Sequence, residues 1–147
     1  MTEASELVFA ALGGLGEIGM NCALYGYGPP AARKWLMVDL GVAFAGDDLP
    51  GIDLIMPDVS FIEKVKGDLV GIVITHAHED HLGALAELWP SLGAPVYASS
   101  FAAGLVQTRR LGEPGAPALP LTILKQGERL AIDPFEVEFV AVAHSIP

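Results

Sequence analysis

Short apolar runs alternate with glycine and proline along the whole chain. Leu7–Leu12, Asn21–Tyr27, Trp35–Leu40 and Leu69–Thr75 have the length and composition of strands. His81–Leu88 places Leu82, Leu85 and Leu88 at helical spacing, with Pro90 just beyond. Phe101–Leu111 is a second predicted helix, stopped by Gly112 and Pro114. Pro120–Leu124, Arg129–Ile132 and Phe135–Val142 read as further strands. They are punctuated by the turn Lys125-Gln126-Gly127-Glu128 and by Asp133-Pro134. Strands running together with helices between some of them predict an α/β (α+β) class, neither a bundle nor a pure sandwich. No repeat, linker or charge block divides the chain. No closing element follows Phe135–Val142, so the chain is expected to be a piece of something larger.

Composition narrows the class. The chain has 147 residues, one ordinary domain's worth, with 52% apolar and 18% charged residues, which excludes intrinsic disorder. Its 17 glycines and 11 prolines are aperiodic, so it is not collagen-like. No apolar run reaches the roughly 18 residues of a membrane span. The acidic start, Met-Thr-Glu-Ala-Ser-Glu, lacks the basic region of a secretory signal. Cys22 is the single cysteine, which excludes an intramolecular disulfide and fits a reducing compartment. A cytoplasmic location is therefore expected. The formal net charge of −10 opposes a polyanionic partner for this stretch by itself.

Three of the four histidines fall within six residues, in Thr75-His76-Ala77-His78-Glu79-Asp80-His81; the fourth, His144, follows the last predicted strand. In extended backbone, residues i and i+2 point the same way, so His76 and His78 can converge on one point. A helix beginning near Asp80 puts Asp80 and His81 on its first turn, facing a second point nearby. Imidazole and carboxylate are ligands of Zn²⁺ and its neighbours. Two cations about 3.5–4 Å apart form a hydrolytic device. His144 is placed to bring in a third imidazole from the sheet. A lone histidine is usually a surface or satisfied core residue; three beside an aspartate in one loop are not.

Several other features have blander readings. Gly14-Leu15-Gly16-Glu17-Ile18-Gly19 fits G-x-G-x-x-G, and Asp39 lies 20 residues after Gly19. A dinucleotide site requires the motif to open a helix. Met20–Tyr27 has no helical periodicity, so a tight turn beside the metal cleft is the better reading. Cys22 reads as a small core residue, because no spare histidine could activate it. Glu79 alternates away from His78 and is expected to face solvent. Arg109-Arg110 reads as a basic pair favoured by the helix C-terminus. Trp35, Trp89, Tyr25 and Tyr27 read as core or edge residues rather than base-stacking platforms. Asp39 either caps a turn before Gly41 or has a role in the site.

His76-Ala77-His78-Glu79-Asp80-His81 resembles the H-x-H-x-D-H signature of the metallo-β-lactamase superfamily. Val38-Asp39-Leu40-Gly41 resembles that superfamily's first motif, a strand-ending aspartate. Four segments narrow the likeness to the ribonuclease J family, in the β-CASP branch. These are Gly13–Asn21, Leu49–Asp53 with Pro57-Asp58, Thr75–Ala84 and His144-Ser145-Ile146-Pro147. The resemblance implies the N-terminal portion, residues 1–147, of an αββα lactamase-like domain, with the β-CASP domain and remainder beyond Pro147. It implies a first cation held by His76, His78 and His144, and a second served by Asp80 and His81. Asp80 would also steer the nucleophile. Asp39 would be a buried group orienting the histidine loop. Further donors would lie after Pro147.

The activity so implied is metal-dependent hydrolysis of RNA phosphodiesters, exo- or endonucleolytic, in RNA processing and decay. Two divalent cations are expected, Zn²⁺ favoured by three imidazoles, with Mn²⁺ or Mg²⁺ as alternatives. RNA is the expected partner, gripped mainly by regions outside this stretch; no membrane contact and a homo-oligomeric full-length protein are expected. Two other readings stay open on the motif alone: a lactamase-fold hydrolase of thioesters or lactones, and a non-enzymatic scaffold with a vestigial metal loop.

Overall fold

The computed structural model describes residues 4–112, 115 and 118–146, without the side chains of 110–112. Arg110, the helix stop expected at Pro114 and the Pro147 of the His144–Pro147 likeness therefore lie outside the described side chains. Strands β1 (Glu6–Gly13), β2 (Cys22–Gly28) and β3 (Lys34–Val38) open the chain. A two-residue ladder follows, β4 (Ala43–Phe44) with β5 (Leu54–Ile55), and then helix α1 (Ser60–Lys64). β6 (Leu69–Ile74) leads to α2 (Glu79–Leu82) and α3 (Leu85–Leu92). β7 (Val96–Ala98), α4 (Ser100–Gly112) and β8 (Leu121–Ile123) come next. The last strands form the hairpin of β9 (Arg129–Ile132) and β10 (Phe135–Glu138), and the segment carrying His144 follows it.

Six strands form one mixed sheet in the order β1-β2-β3-β6-β7-β8. The β1-β2-β3 pairs are antiparallel; β3-β6, β6-β7 and β7-β8 are parallel. Each parallel step is bridged by a helix, as parallel pairing requires. The central strand β6 is Leu-Val-Gly-Ile-Val-Ile, buried almost throughout. A strand covered on both faces reads this way. On one face Leu24, Met37, Ile72, Ile74 and Val96 pack with Ile62, Leu82, Leu85 and Leu92 of the helices. On the other, Leu36 and Val73 meet Ile132, with Leu130, Phe135 and Val137 of the hairpin alongside. The expected mixed α/β class is the observed one, with helices on one face and the start of a second β layer on the other.

The largest differences from the sequence reading lie at three boundaries, and β3 also stops at Val38, two residues before the expected Leu40. His81–Leu88 is not one helix. The amide of Ala84, which would continue α2 onto the Asp80 carbonyl, donates instead to Leu40 O at 3.0 Å. α3 then restarts and runs through Pro90 to Leu92, where Gly93 at φ +68 closes it with its amide on Trp89 O. A left-handed glycine is the usual helix stop. The strand Phe135–Val142 ends at Glu138. Opposite Glu138 the partner strand begins at Arg129, so Val140 and Val142 have no ladder and are exposed. Among the described residues, no helix is long and apolar enough to cross a membrane.

Candidate metal centre

The histidines gather at the carboxyl ends of the parallel strands, where α/β sheets place their sites. β3 ends at Val38 and delivers Asp39; β6 ends at Ile74 and delivers Thr75 and His76. Asp39 is held at φ +63 and is buried. Its carboxylate accepts the Thr75 amide at 2.8 Å, the Thr75 hydroxyl at 2.9–3.0 Å and His81 Nδ1–H at 2.7 Å. Of the two readings of Asp39, a mere turn cap fails: its partners are 36 and 42 residues away. The loop after β3 is then laced to α2 through backbone bonds. Leu40 N–H donates to His81 O at 2.8 Å, and Val42 N–H to Glu79 O at 3.1 Å.

His76 Nε2 lies 2.9 Å from His78 Nδ1 and 3.0 Å from His144 Nε2. All three donor atoms fall within 4.8 Å of one another. A tetrahedral ion with metal–nitrogen bonds of 2.0–2.1 Å holds neighbouring nitrogens about 3.3 Å apart. The two spacings about His76 fall a few tenths of an ångström short of that value, so the cluster approaches such a geometry. The ring nitrogens pointing away have partners of their own. The Thr75 hydroxyl donates to Asp39, which leaves its oxygen to accept His76 Nδ1–H at 3.0 Å. Ser145 Oγ is 3.1 Å from His78 Nε2. Outer partners of this kind fix the tautomer that turns a lone pair inward.

Beside the first cluster lies a second pair of donors. His81 Nε2 and Asp80 Oδ2 are 3.4 Å apart. The His76 and His81 ring centres are 4.1 Å apart, so the two groups adjoin. Burial disfavours a charged His81 ring, but the Asp39 carboxylate outweighs it and holds the ring above the ordinary histidine value. Burial pushes His76 below that value, and the neighbouring His81 charge adds to the effect. A neutral His76 ring is the form that binds a metal. A cleft of about 850 Å³ is lined by Thr75, His76, His81 and His144, and also by Ser100 and Lys125.

Other sequence readings fare variously. Cys22 is buried and its thiol is pushed up to about 12, by burial first and then by the Asp39 charge, so it is an inert core residue. Glu79 does not face solvent alone: Arg109 of α4 grips both of its carboxylate oxygens. Arg109 is thus an ion-pair partner rather than a bare helix-end charge. Gly14, Gly16 and Gly19 all have positive φ, and β2 follows them instead of a helix. Trp35 is buried, and Trp89 donates its indole N–H to Ala94 O. The sequence motifs do not single out Thr75, Ser145 or Asn21 individually. Their signal was adjacency, since each abuts a motif histidine or ends the glycine run.

The metallo-β-lactamase superfamily profile matches residues 21–144. The chain belongs to the metallo-β-lactamase superfamily. Over all 147 residues it is 55% identical to ribonuclease J of Sinorhizobium meliloti, covering 26% of that protein. It is 39% identical over 140 residues to ribonuclease J of Mycolicibacterium smegmatis, covering 93% of this chain and 24% of that one. The chain therefore spans about a quarter of the length of these curated relatives. Among solved structures, the metallo-β-lactamase SMB-1 in complex with mercaptoacetic acid superposes with TM-score 0.54. The match has 21% identity and covers 93% of this chain and 52% of that one. At that identity the likeness concerns the fold.

Proposed function

We propose that this chain is the N-terminal portion of a lactamase-like domain in a longer ribonuclease J-type enzyme that hydrolyses RNA in the cytoplasm. One observation supports it above the rest: His76, His78 and His144 converge on one point beside Asp80 and His81, in a chain 55% identical to a ribonuclease J. His76 Nε2, His78 Nδ1 and His144 Nε2 are the proposed donors to a first cation. Asp80 and His81 serve a second, completed by residues outside this chain. Zn²⁺ suits the imidazole set, with Mn²⁺ or Mg²⁺ as alternatives.

Two bound cations supply charge neutralisation for a phosphodiester and acidify an attacking water. The chain's own residues do the positioning. Asp39 and Thr75 lock His76 and His81 in the tautomers that turn Nε2 inward. The Asp80 carboxylate would accept a hydrogen bond from the attacking water and so steer it toward phosphorus. The cleft against His76 and His144 admits the substrate backbone, with Lys125 available to a phosphate.

The test is RNA degradation by the full-length protein with Zn²⁺ or Mn²⁺. His76→Ala and Asp80→Ala are each expected to lower kcat by 10²-fold or more, the scale of losing a preorganised group at the reacting centre. Full activity in either variant would overturn the assignment. Turnover of a thioester or lactone with no RNA cleavage by the wild type would overturn the substrate class.

A further inference from the structure

The glycine-rich run ends at Asn21, whose side chain enters the site. Its backbone N–H donates to the Asp80 carbonyl at 2.8 Å, and its own carbonyl accepts Gly41 N–H at 3.0 Å. Its side-chain nitrogen lies 3.0 Å from that Asp80 carbonyl, 3.1 Å from Asp80 Oδ2 and 3.2 Å from His81 Nε2. In the neutral ring, the form that binds a metal, His81 gives its Nδ1–H to Asp39 and its Nε2 carries a lone pair. The Asn21 amide group therefore donates to two acceptors that face a common point. Left bare, a carboxylate oxygen and an imidazole lone pair 3.4 Å apart would repel and turn away, since unpaired part-buried acceptors are costly.

The glycines ahead of Asn21 gain a reason from this. A Cβ on Gly14 would lie 2.5 Å from Asn21 Oδ1, and one on Gly13 would lie 2.1 Å from the Met20 carbonyl. Gly14 also sits at φ +80. Side chains at these two positions would push the amide off Asp80. Within the run that mimics a nucleotide-binding motif, Gly14 is thus the backbone clearance for this amide, whereas a Cβ on Gly16 would meet nothing and one on Gly19 would meet Ala43.

We propose that Asn21 is a positioning residue for the second cation: its amide keeps Asp80 and His81 converged before the ion arrives. With an ion bound, Asp80 and His81 would face it, and the amide would be free to donate to the Asp80 carbonyl, 3.0 Å away. The inference rests on the assignment of Asp80 and His81 to a second ion made above.

Zn²⁺ titration of metal-free full-length protein, read by calorimetry against a competing chelator, tests it. Wild type is expected to bind two ions. Asn21→Leu, which keeps the volume, and Asn21→Ala should both weaken the second step by 10- to 100-fold, the usual cost of losing an outer partner. The first step should stay within twofold. A variant that merely loosened the fold would weaken both steps together, and that result overturns the proposal, as does an unchanged or tighter second step. Binding of one ion by wild type would instead overturn the second site itself. A measurement on wild type needs no variant to fold: the ¹⁵N resonance of His81 Nε2 in the metal-free protein should show a hydrogen-bonded acceptor coupled to the Asn21 amide. A free Nε2 there removes the basis of the proposal.

Discussion

At the scale of single residues, Asp39 carries the most. A buried carboxylate is expensive unless its acceptor sites are filled; here three donors fill them. Its left-handed backbone, φ +63, costs of order 1–3 kcal/mol outside glycine. Asp39→Asn keeps the shape but sets an NH₂ group against donors. We expect it to destabilise the metal-free protein by about 1–3 kcal/mol and to weaken the second cation 10- to 100-fold. Thermal unfolding and metal titration read the two effects separately. Asp39→Gly relieves the backbone yet should bind the second ion no better than Asp39→Asn; wild-type affinity in either variant would dismiss the orienting role. In sequence, Asp39 was legible through the family resemblance alone, since an aspartate before a glycine also reads as a turn cap. Thr75 and His81, the partners its carboxylate finds, are 36 and 42 positions off. Glu79 misled for the same reason. Local alternation sends it outward, and Arg109, thirty residues later, receives it.

At the scale of elements, the join between the β3 loop and α2 holds the site together. A Cβ on Gly41 would lie 1.8 Å from Asp80 O, 2.0 Å from Asp80 C and 2.6 Å from His81 N. All three are backbone atoms, so no rotamer can relieve the clash. Gly41→Ala is expected to cost about 3 kcal/mol or more, at the upper end of overpacking, and to loosen both cations by shifting α2. Gly16→Ala is the control: nothing lies within 4 Å of its added Cβ, and φ is +74. It should cost about 1–2 kcal/mol in backbone strain. Urea unfolding of the pair checks the order; equal costs would mean that α2 does not depend on this close approach. Strands with clear alternation, such as β2, were legible in the sequence. β7 was not, because three residues carry no period. The break between α2 and α3 was hidden as well, because the bond that makes it joins Ala84 to Leu40, across the fold. Val140 and Val142 read as strand from composition, but pairing needs a partner, and β9 begins opposite Glu138.

At the scale of the molecule, charge and coverage bear on what this stretch does by itself. The sheet buries one face under helices, while the hairpin β9–β10 covers the opposite face at Leu36 and Val73. Leu7, Phe9, Tyr25 and Tyr27 on that same face stay exposed, with Phe9 packed edge-on against Tyr25. The net charge of −10, with 8 basic residues, opposes binding to a phosphate backbone, whose affinity comes from paired lysines and arginines. Two divalent cations would return +4 at one point only. The proposed second cation would find two donors here, Asp80 and His81, and would be held weakly, whereas a two-metal reaction needs both ions at fixed spacing. The 147-residue chain is therefore expected to take up one Zn²⁺ tightly and to degrade RNA at least 10²-fold more slowly than the full-length protein, scaled as the loss of a catalytic ion's electrostatic contribution. Side-by-side assays at matched metal concentration measure the ratio. If the short chain matches the long one and loses its activity with His76→Ala, the missing donors are dispensable and the two-cation reading falls. If activity appears in the long chain alone, and Asp80→Ala abolishes it there, the acidic, half-covered piece is a scaffold for one ion whose chemistry is completed elsewhere in the protein.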